Sequence, residues 1–247
     1  MNHKEFIRIN ANANTAILFI HGIIGTPDHF DPFLPLVPYN VSVCNILLDG
    51  HGKDVHEFSR TSMKKWETQV SNIIADLSQT HTDIYIVAHS MGTLLAIEQA
   101  ICSDVIKGLF LLAIPIKIFP RKLMFTNAWK VYRNKVKTTD TFAIAAKNSC
   151  SIHHEGNLFA YIGWIPRYLE LFKKSHRIHK NLQLLRTQPV AFQSKMDEMV
   201  SYRSVKALVQ VPAISVYTLK NSTHFCYDAF DLQFLMAEFN KFLSHIK

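Results

Sequence analysis

Asp83-Ile-Tyr-Ile-Val-Ala-His-Ser-Met-Gly92 is a short apolar run that ends in an abrupt turn. The run from Ile84 to Ala88 predicts a buried strand, and the apolar spacing from Leu94 to Ile101 predicts a helix directly after the turn. A strand, a sharp turn with a serine at its apex and a helix form the context in which the G-x-S-x-G pattern is a nucleophile elbow. The second residue on either side of the serine must be small, because the serine backbone is strained there. Gly92 meets this requirement, and Ala88 stands where a glycine is usual.

Ser90 is the candidate nucleophile of this turn. The turn would lift its hydroxyl off the sheet and point the amino end of the next helix at it. The positive end of a helix dipole favours the oxyanion that forms in acyl transfer. The alternative is a small-residue turn with an incidental serine, because five-residue matches are common by chance. The rest of the chain must decide between the two.

Apolar runs alternate with helical patterns along most of the 247 residues, which is a typical length for a single α/β domain. Further strands are predicted at Thr15–Ile20, Val41–Leu48, Lys107–Ile114, Gln188–Gln193 and Pro212–Leu219. The alternation predicts an α/β fold with a mostly parallel sheet and helices on both of its faces.

The alternation stops between residues 115 and 187, where no strand is predicted. Residues 158–172 and 178–185 have helical spacing, with Pro166 either breaking or starting a helix. We therefore expect residues 1–114 and 188–247 to form the core and residues 115–187 to form a helical cap over the carboxyl edge of the sheet. A longer helical connection is the alternative.

The net charge of +8 is unevenly distributed. Residues 117–187 contain 14 Lys and Arg against 3 Asp and Glu, whereas the remainder contains 13 against 16. No helix-turn-helix, RRM or zinc-finger pattern accompanies the basic segment, so we do not expect it to bind nucleic acid. The excess charge indicates either contact with an anionic membrane surface or a segment that is only kept soluble by it. In both cases we expect its Lys and Arg side chains, among them Lys173, Lys174 and Arg177, to face water.

Cysteine and hydrophobic patterns predict a cytoplasmic protein without cofactors. The cysteines at 44, 102, 150 and 226 lie far apart and suggest no disulfide framework or metal knuckle. No apolar run approaches the ~20 residues that span a bilayer, and the amino terminus lacks an apolar signal core. His153-His154-Glu155 resembles a metal pair, but adjacent histidines do not share a helix face, so we expect no metal. The oligomeric state is not predicted.

A serine hydroxyl needs a base within hydrogen-bond reach, and the base needs an orienting acid. Asp197 and His224 each follow a predicted strand, in the chain order serine, acid, histidine. Three such residues at one edge of a sheet are hard to explain by chance, although the chain has 13 His. Glu198, which adjoins Asp197, is the alternative acid.

Five motifs together resemble the α/β-hydrolase superfamily, and more narrowly the group of bacterial carboxylesterases, monoacylglycerol lipases and serine aminopeptidases of the S33 class. They are His21-Gly22, Asp49-Gly-His-Gly52, Ala88-His-Ser-Met-Gly92, Lys195-Met-Asp-Glu-Met-Val200 and Ser222-Thr-His224. The resemblance covers nearly the whole core and implies Ser90 as nucleophile, His224 as base and Asp197 as acid. It also implies an oxyanion hole formed by the backbone N–H groups of Ile23 and Met91.

The sequence thus favours a serine hydrolase that cleaves short- to medium-chain acyl esters, similar to monoacylglycerols. A thioesterase or a lysophospholipase would use the same triad, and a non-catalytic ligand-binding member of the fold is the alternative from another class. We expect His21, Gly22 and His89 to line the substrate site. His21 and His51 are expected to shape loops through hydrogen bonds.

Overall fold

The computed structural model describes residues 3–246 and contains a seven-stranded sheet in the order β1-β3-β2-β4-β5-β6-β7. The strands are β1 (Phe6–Arg8), β2 (Thr15–Ile20), β3 (Ser42–Ile46), β4 (Asp83–His89), β5 (Ile106–Leu112), β6 (Val190–Ser194) and β7 (Ser215–Leu219). All neighbouring strands pair in parallel except β1, which runs antiparallel to β3 at the edge. The mostly parallel sheet predicted from the sequence is therefore confirmed.

Eight α-helices lie in the described part of the chain. They are α1 (Val55–Arg60), α2 (Met63–Ser78), α3 (Met91–Cys102), α4 (Lys122–Tyr132), α5 (Thr141–Asn148), α6 (Ile165–Asn181), α7 (Ser204–Leu208) and α8 (Ala229–Ser244). Short 3-10 helices occupy Pro27–Phe30, Leu34–Leu36, Leu158–Trp164 and Leu182–Leu184. Three of the α-helices, α4, α5 and α6, fall between β5 and β6; we call residues 115–187 the helical segment.

Strand side chains alternate between two apolar layers, because successive residues of a strand point to opposite faces. Leu18 and Ile20 of β2 pack in a layer with residues of α2, α3 and α6, such as Trp66. Ile17 and Phe19 pack in the other layer with α8, whose Phe239 is fully buried. Since the central strands are covered on both sides, most of their side chains are apolar, and the parallel strands end at one edge of the sheet.

Three details differ from the sequence-based prediction. Strand β1 was not predicted, and it is short, largely exposed and paired on one side only. The last strand begins at Ser215, three residues later than expected. The two helices predicted within residues 158–185 are one continuous helix, α6, flanked by 3-10 turns, with Pro166 in its first turn, where a missing N–H costs no hydrogen bond.

Candidate active site

Ser90 lies at the turn between β4 and α3 with φ 51° and ψ −123°, a conformation in which a residue with a side chain is strained. Its backbone N–H donates to the carbonyl of Leu112 at 2.8 Å, and its carbonyl accepts from the Thr93 hydroxyl at 2.6 Å. A Cβ atom on Gly92 would lie 2.2 Å from the carbonyl oxygen of Ile20, so only glycine fits there. The turn is thus held from both sides and presents the Ser90 side chain at the carboxyl edge of the sheet.

A hydrogen-bonded chain joins Ser90, His224 and Asp197. The Oγ atom of Ser90 lies 3.1 Å from Nε2 of His224, and Nδ1 of His224 lies 2.8 Å from Oδ2 of Asp197. The other carboxylate oxygen of Asp197 accepts the backbone N–H groups of Met199 and Val200 at 2.8 and 2.7 Å. These bonds fix the carboxylate, which therefore fixes the plane of the imidazole ring.

His224 is buried, and burial alone lowers its pKa, but the charge and hydrogen bond of Asp197, with the charge of Glu198, raise the pKa above the ordinary 6.5. A histidine between a serine hydroxyl and a carboxylate accepts the serine proton as the hydroxyl attacks. The raised pKa makes His224 a stronger base in this site than free imidazole. The arrangement can therefore activate the Ser90 hydroxyl near neutral pH.

Two further carboxylates hold the loop that carries His224. The carboxylate of Glu198 accepts the backbone N–H of His224 at 2.9 Å, and burial raises the pKa of this carboxyl. The carboxylate of Asp231 accepts the backbone N–H groups of three successive residues, Lys220, Asn221 and Ser222, at 2.8 to 3.1 Å. Asp197 thus contacts the imidazole ring of His224, whereas Glu198 contacts its backbone.

A pair of stacked histidines forms one wall beside Ser90. The rings of His29 and His89 are parallel within 29° and their centres lie 3.9 Å apart. Nε2 of His89 donates to the carbonyl of His224 at 3.1 Å, and Nε2 of His29 lies 2.8 Å from the Tyr227 hydroxyl. Burial, followed by the nearby His224, lowers the pKa of His29 to about 3, and burial lowers the pKa of His89 well below 6.5. Both rings are therefore neutral near pH 7, whereas the pKa of the neighbouring His224 is raised.

His21 and Gly22, in the loop that follows β2, also line the cleft beside Ser90. Nδ1 of His21 donates to the carbonyl of Gly22 at 2.8 Å, and its Nε2 accepts the backbone N–H of Leu48 at 3.0 Å. Both ring nitrogens are engaged, so His21 shapes the loop as expected. A Cβ atom on Gly22 would lie 2.9 Å from Cβ of Ser90, so this loop approaches the serine as closely as its backbone permits.

The two residues predicted to supply the oxyanion-hole N–H groups, Ile23 and Met91, lie close to Ser90. Ile23 lines a narrow cleft at Ser90, together with His21, Gly22, His89 and His224. Met91 is the first residue of α3, and the first N–H groups of a helix have no partner within the helix. The cleft has a volume of about 10 Å³, which is close to the space that one water molecule needs.

A second cavity of about 980 Å³ lies next to the cleft and is lined mainly by apolar side chains of the helical segment. Ser149 and Phe225 line both spaces, so the two spaces are adjacent and share these side chains as a boundary. The ring of Phe225 stands at 88° to the ring of His224, with the ring centres 4.8 Å apart. Aromatic side chains of the helical segment, including Phe125, Trp129 and Tyr161, line this cavity.

Ion pairs attach α6 to the core and correct one prediction. Lys174 was expected to face water, but its side chain is 1% exposed and contacts the carboxylates of Glu67 on α2 and Glu98 on α3. The guanidinium of Arg177 also contacts both carboxylates, at 2.7 Å each. An ammonium group tolerates such burial only because carboxylates surround it. The two acids lie on helices far from Lys174 in the sequence, so the local sequence could not predict that Lys174 is buried.

The adjacent histidines His153 and His154 contact other groups of the protein. Nδ1 of His154 lies 2.7 Å from the Tyr161 hydroxyl, and the backbone N–H of His153 donates to the carbonyl of Lys53. Within residues 3–246, no cluster of three or more His, Cys, Asp or Glu is placed to hold a metal ion. In that same part of the chain, every helix is too short or too polar to cross a membrane.

Sequence reasoning missed His29, the backbone contact of Glu198 and the junction residue Ser149. His29 could have been found, because it follows the loop after β2 that the sequence places at the ligand-binding edge of the sheet. Ser149 carried no signal, since its position depends on how the helical segment folds back over the sheet.

The sheet order, the strained serine turn and the hydrogen-bonded Ser–His–Asp chain are together those of an α/β hydrolase. The sequence matches the model of the alpha/beta hydrolase family over residues 17–228, and the protein belongs to this family. No curated protein matches the sequence significantly.

Solved structures share the fold at low sequence identity. The structure is similar to the monoacylglycerol lipase of Paleococcus ferrophilus, with a TM-score of 0.70, 15% identity and coverage of 98% of this chain and 99% of that one. A structure from a study of the metagenome-derived lipolytic enzymes LipS and LipT has a TM-score of 0.71, 13% identity and coverage of 99% and 98%. Est1E of Butyrivibrio proteoclasticus, with ferulic acid bound, has a TM-score of 0.65, 19% identity and coverage of 98% and 94%.

Proposed function

We propose that the protein is a serine carboxylic-ester hydrolase for short- to medium-chain acyl esters. Ser90 is the nucleophile, His224 the general base and Asp197 the acid that orients it. The observation that carries the proposal is the hydrogen-bonded chain Ser90–His224–Asp197, whose serine lines a cleft next to an apolar cavity.

The reaction follows from the positions of these groups. Ser90 Oγ attacks the ester carbonyl while its proton moves to Nε2 of His224, and the carbonyl oxygen becomes an oxyanion. The backbone N–H groups of Ile23 and Met91 stabilise that charge. His224 then protonates the departing alkoxide, which leaves as the alcohol. Water, deprotonated by His224, attacks the acyl-enzyme and releases the carboxylic acid and the free Ser90 hydroxyl.

The apolar cavity supports an acyl group as the part of the substrate that is recognised. The cavity lies next to the cleft, with Ser149 and Phe225 lining both, and its own lining is mostly aromatic and aliphatic. Each methylene moved from water into such a site contributes about 0.8 kcal/mol. The similarity to lipolytic and esterase structures agrees with this assignment, although at 13–19% identity it concerns the fold.

The test is active-site labelling combined with turnover. We expect a fluorophosphonate probe to label the protein and Ser90→Ala to abolish both labelling and p-nitrophenyl ester hydrolysis, with an unchanged circular dichroism spectrum. Ser149→Ala removes another hydroxyl from the wall of the same cleft and is the matched control, which should still be labelled. Turnover by Ser90→Ala would contradict the proposal, and a non-catalytic binder would show no labelling in any form.

Three parts of the sequence-based interpretation stay predictions: the role of the helical segment as a cap, a cytoplasmic location and contact with anionic membranes. A series of oxygen esters and thioesters of the same acids would separate an esterase from a thioesterase. An esterase should have the higher kcat/KM for the oxygen ester of a given acid, and a thioesterase should have the higher kcat/KM for the thioester.

A further inference from the structure

Exposed apolar side chains surround the opening of the large cavity. Phe125 and Trp129 of α4, Leu158 of the following 3-10 helix and Phe172 of α6 are each 46–60% exposed, and all four line the cavity. We call these four residues the rim. Because they come from three elements and share one opening, they form one contiguous apolar surface. Soluble proteins rarely expose such surfaces without a partner or ligand.

The apolar surface continues along α6 beyond the cavity. Ile165 and Leu169 are 55% and 54% exposed, and with Phe172 they follow the spacing of one helix face. Neither Ile165 nor Leu169 lines the cavity or the Ser90 cleft. A pocket that only accepts a small substrate does not explain why this stripe is apolar.

Most of the positive charge of the helical segment is unpaired and exposed. Five of its 14 Lys and Arg lie within 4.0 Å of a carboxylate, namely Lys130, Arg167, Lys174, Arg177 and Arg186. In the described chain the other nine have no such partner, and all nine are exposed: Lys117, Arg121, Lys122, Arg133, Lys135, Lys137, Lys147, Lys173 and Lys180. All three acids of the segment are paired, Asp140 with Lys130, Glu155 with His56 and Glu170 with Arg167.

Two cations flank two aromatic rings along one face of α4 and its C-cap. Lys122, Phe125, Trp129 and Arg133 are spaced by three or four residues, and the Arg133 guanidinium lies 5.6 Å from the centre of the Trp129 ring. Aromatic side chains next to Lys and Arg are typical of helices that lie in the interface of an anionic bilayer. The rest of the protein has more acidic than basic residues, so an anionic surface would attract the helical segment and repel the core.

We propose that the rim and the exposed face of α6 dock on the surface of a membrane that contains anionic lipids. The proposal names the surface from which the proposed esterase takes its substrate, and thus rests on the proposed function. Docking places the cavity opening against the lipid, so an acyl chain passes from the bilayer into the cavity without crossing water. A nucleic acid would use the same charge but leave the apolar rim in water, and a second copy of the chain would meet its own positive charge.

The test measures binding separately from hydrolysis. The Ser90→Ala protein is mixed with vesicles of phosphatidylcholine alone or with one-third phosphatidylglycerol, and bound protein is separated by flotation. We expect binding to the anionic vesicles at about 0.01 M salt and at least tenfold weaker binding at about 1 M salt, because the Debye length falls from about 30 to 3 Å. Equal binding to both kinds of vesicle, or none to the anionic ones, would overturn the proposal.

Paired variants separate the apolar and the charged contributions. Ile165→Gln with Leu169→Gln should weaken vesicle binding at least tenfold, because the stripe no longer enters the interface. Phe230→Gln, which changes a side chain 79% exposed on α8, is the control. Lys135→Gln with Lys137→Gln should weaken binding about fivefold for each cation, whereas Lys206→Gln with Lys64→Gln should not.

Two readouts distinguish failure of docking from failure of the proposed function. The α6 double variant, made with Ser90 intact, should keep the kcat/KM of the parent toward soluble p-nitrophenyl butyrate while its turnover of vesicle-borne esters falls. If the parent enzyme hydrolyses p-nitrophenyl butyrate but the protein with an intact α6 face does not bind anionic vesicles, the membrane surface alone is rejected and the proposed function stands. A dimer in solution that the α6 variant converts to a monomer would show that a second copy covers this face, and would overturn the proposal.

Discussion

The proposed function predicts a measurable preference for acyl chain length, set by the apolar cavity. Octanoyl esters have six more methylenes than acetyl esters, and at about 0.8 kcal/mol each, complete burial would contribute about 5 kcal/mol, or roughly 3,000-fold in kcat/KM. The cavity is open between the rim residues, so we expect about half of this free energy. The expected rise from p-nitrophenyl acetate to octanoate is then about 50-fold.

Filling the cavity should remove this preference. Ala146 lies on α5 and lines the cavity, whereas Ala145, its neighbour on the same helix, does not. We expect Ala146→Trp to lower kcat/KM for octanoate roughly tenfold or more, since its side chain occupies the space of several methylenes, and to change acetate hydrolysis less than about twofold. Ala145→Trp makes the same substitution outside the cavity and should leave the ratio unchanged.

The assay is the initial rate of nitrophenol release for a series of even-numbered acyl chains, measured below their micelle-forming concentrations. A maximum at acetate would refute the cavity as the acyl site. Equal effects of the two tryptophan variants would show that the helix, not the cavity, controls the rate. If Ala146→Trp lowered acetate and octanoate hydrolysis alike, the substitution would act on Ser90 and not on chain recognition.

Asp197→Asn should lower kcat roughly 10⁴-fold, because the amide no longer holds the His224 ring in the productive tautomer, whereas Glu198→Gln should lose far less, since it contacts only backbone. Steady-state kinetics of both variants test this, and a larger loss in Glu198→Gln would reverse the assignment. In the proposed mechanism the neutral form of His224 is the base. Because its pKa is raised, kcat/KM should fall as the pH drops through a value above 6.5. A pH–rate profile in which kcat/KM falls only below pH 6.5 would contradict this. Lys174→Met should lower the free energy of unfolding, measured in urea, by about 2 kcal/mol. The loss is smaller than for a fully buried pair because the two acids are partly exposed. Lys173→Met should change the free energy of unfolding little, and equal urea midpoints for the two variants would refute the buried pair.

The sequence predicted the parts of the protein that depend on local pattern. Uninterrupted apolar runs predicted the central strands, because both faces of a parallel sheet are covered. Strands of one parallel sheet end at one edge, so Ser90, Asp197 and His224, each after a strand, had to lie near each other. That reasoning predicts only that the three residues are near each other. The hydrogen-bond distances from His224, 2.8 Å to Asp197 and 3.1 Å to Ser90, depend on loop conformations that only the structure describes.

Features that depend on distant packing were not predicted. Lys174 is buried against two acids from α2 and α3, and these contacts form only when α6 packs against both helices. Strand β1 has no partner on its outer side and no apolar pattern, so nothing in its three residues distinguishes it from a loop. The cavity is a space between helices, and no residue pattern describes its volume.

The order of the site residues along the chain has a consequence for biosynthesis. Ser90 and its strained turn precede His224, the proposed base, by 134 residues, and β7 lies between the two. A nascent or truncated chain that stops before residue 224 therefore carries the serine without the histidine that contacts it. If the proposed function holds, we expect such a chain to be inactive toward the esters around it, so the ribosome would release no reactive hydroxyl before β7 and the loop after it have been made.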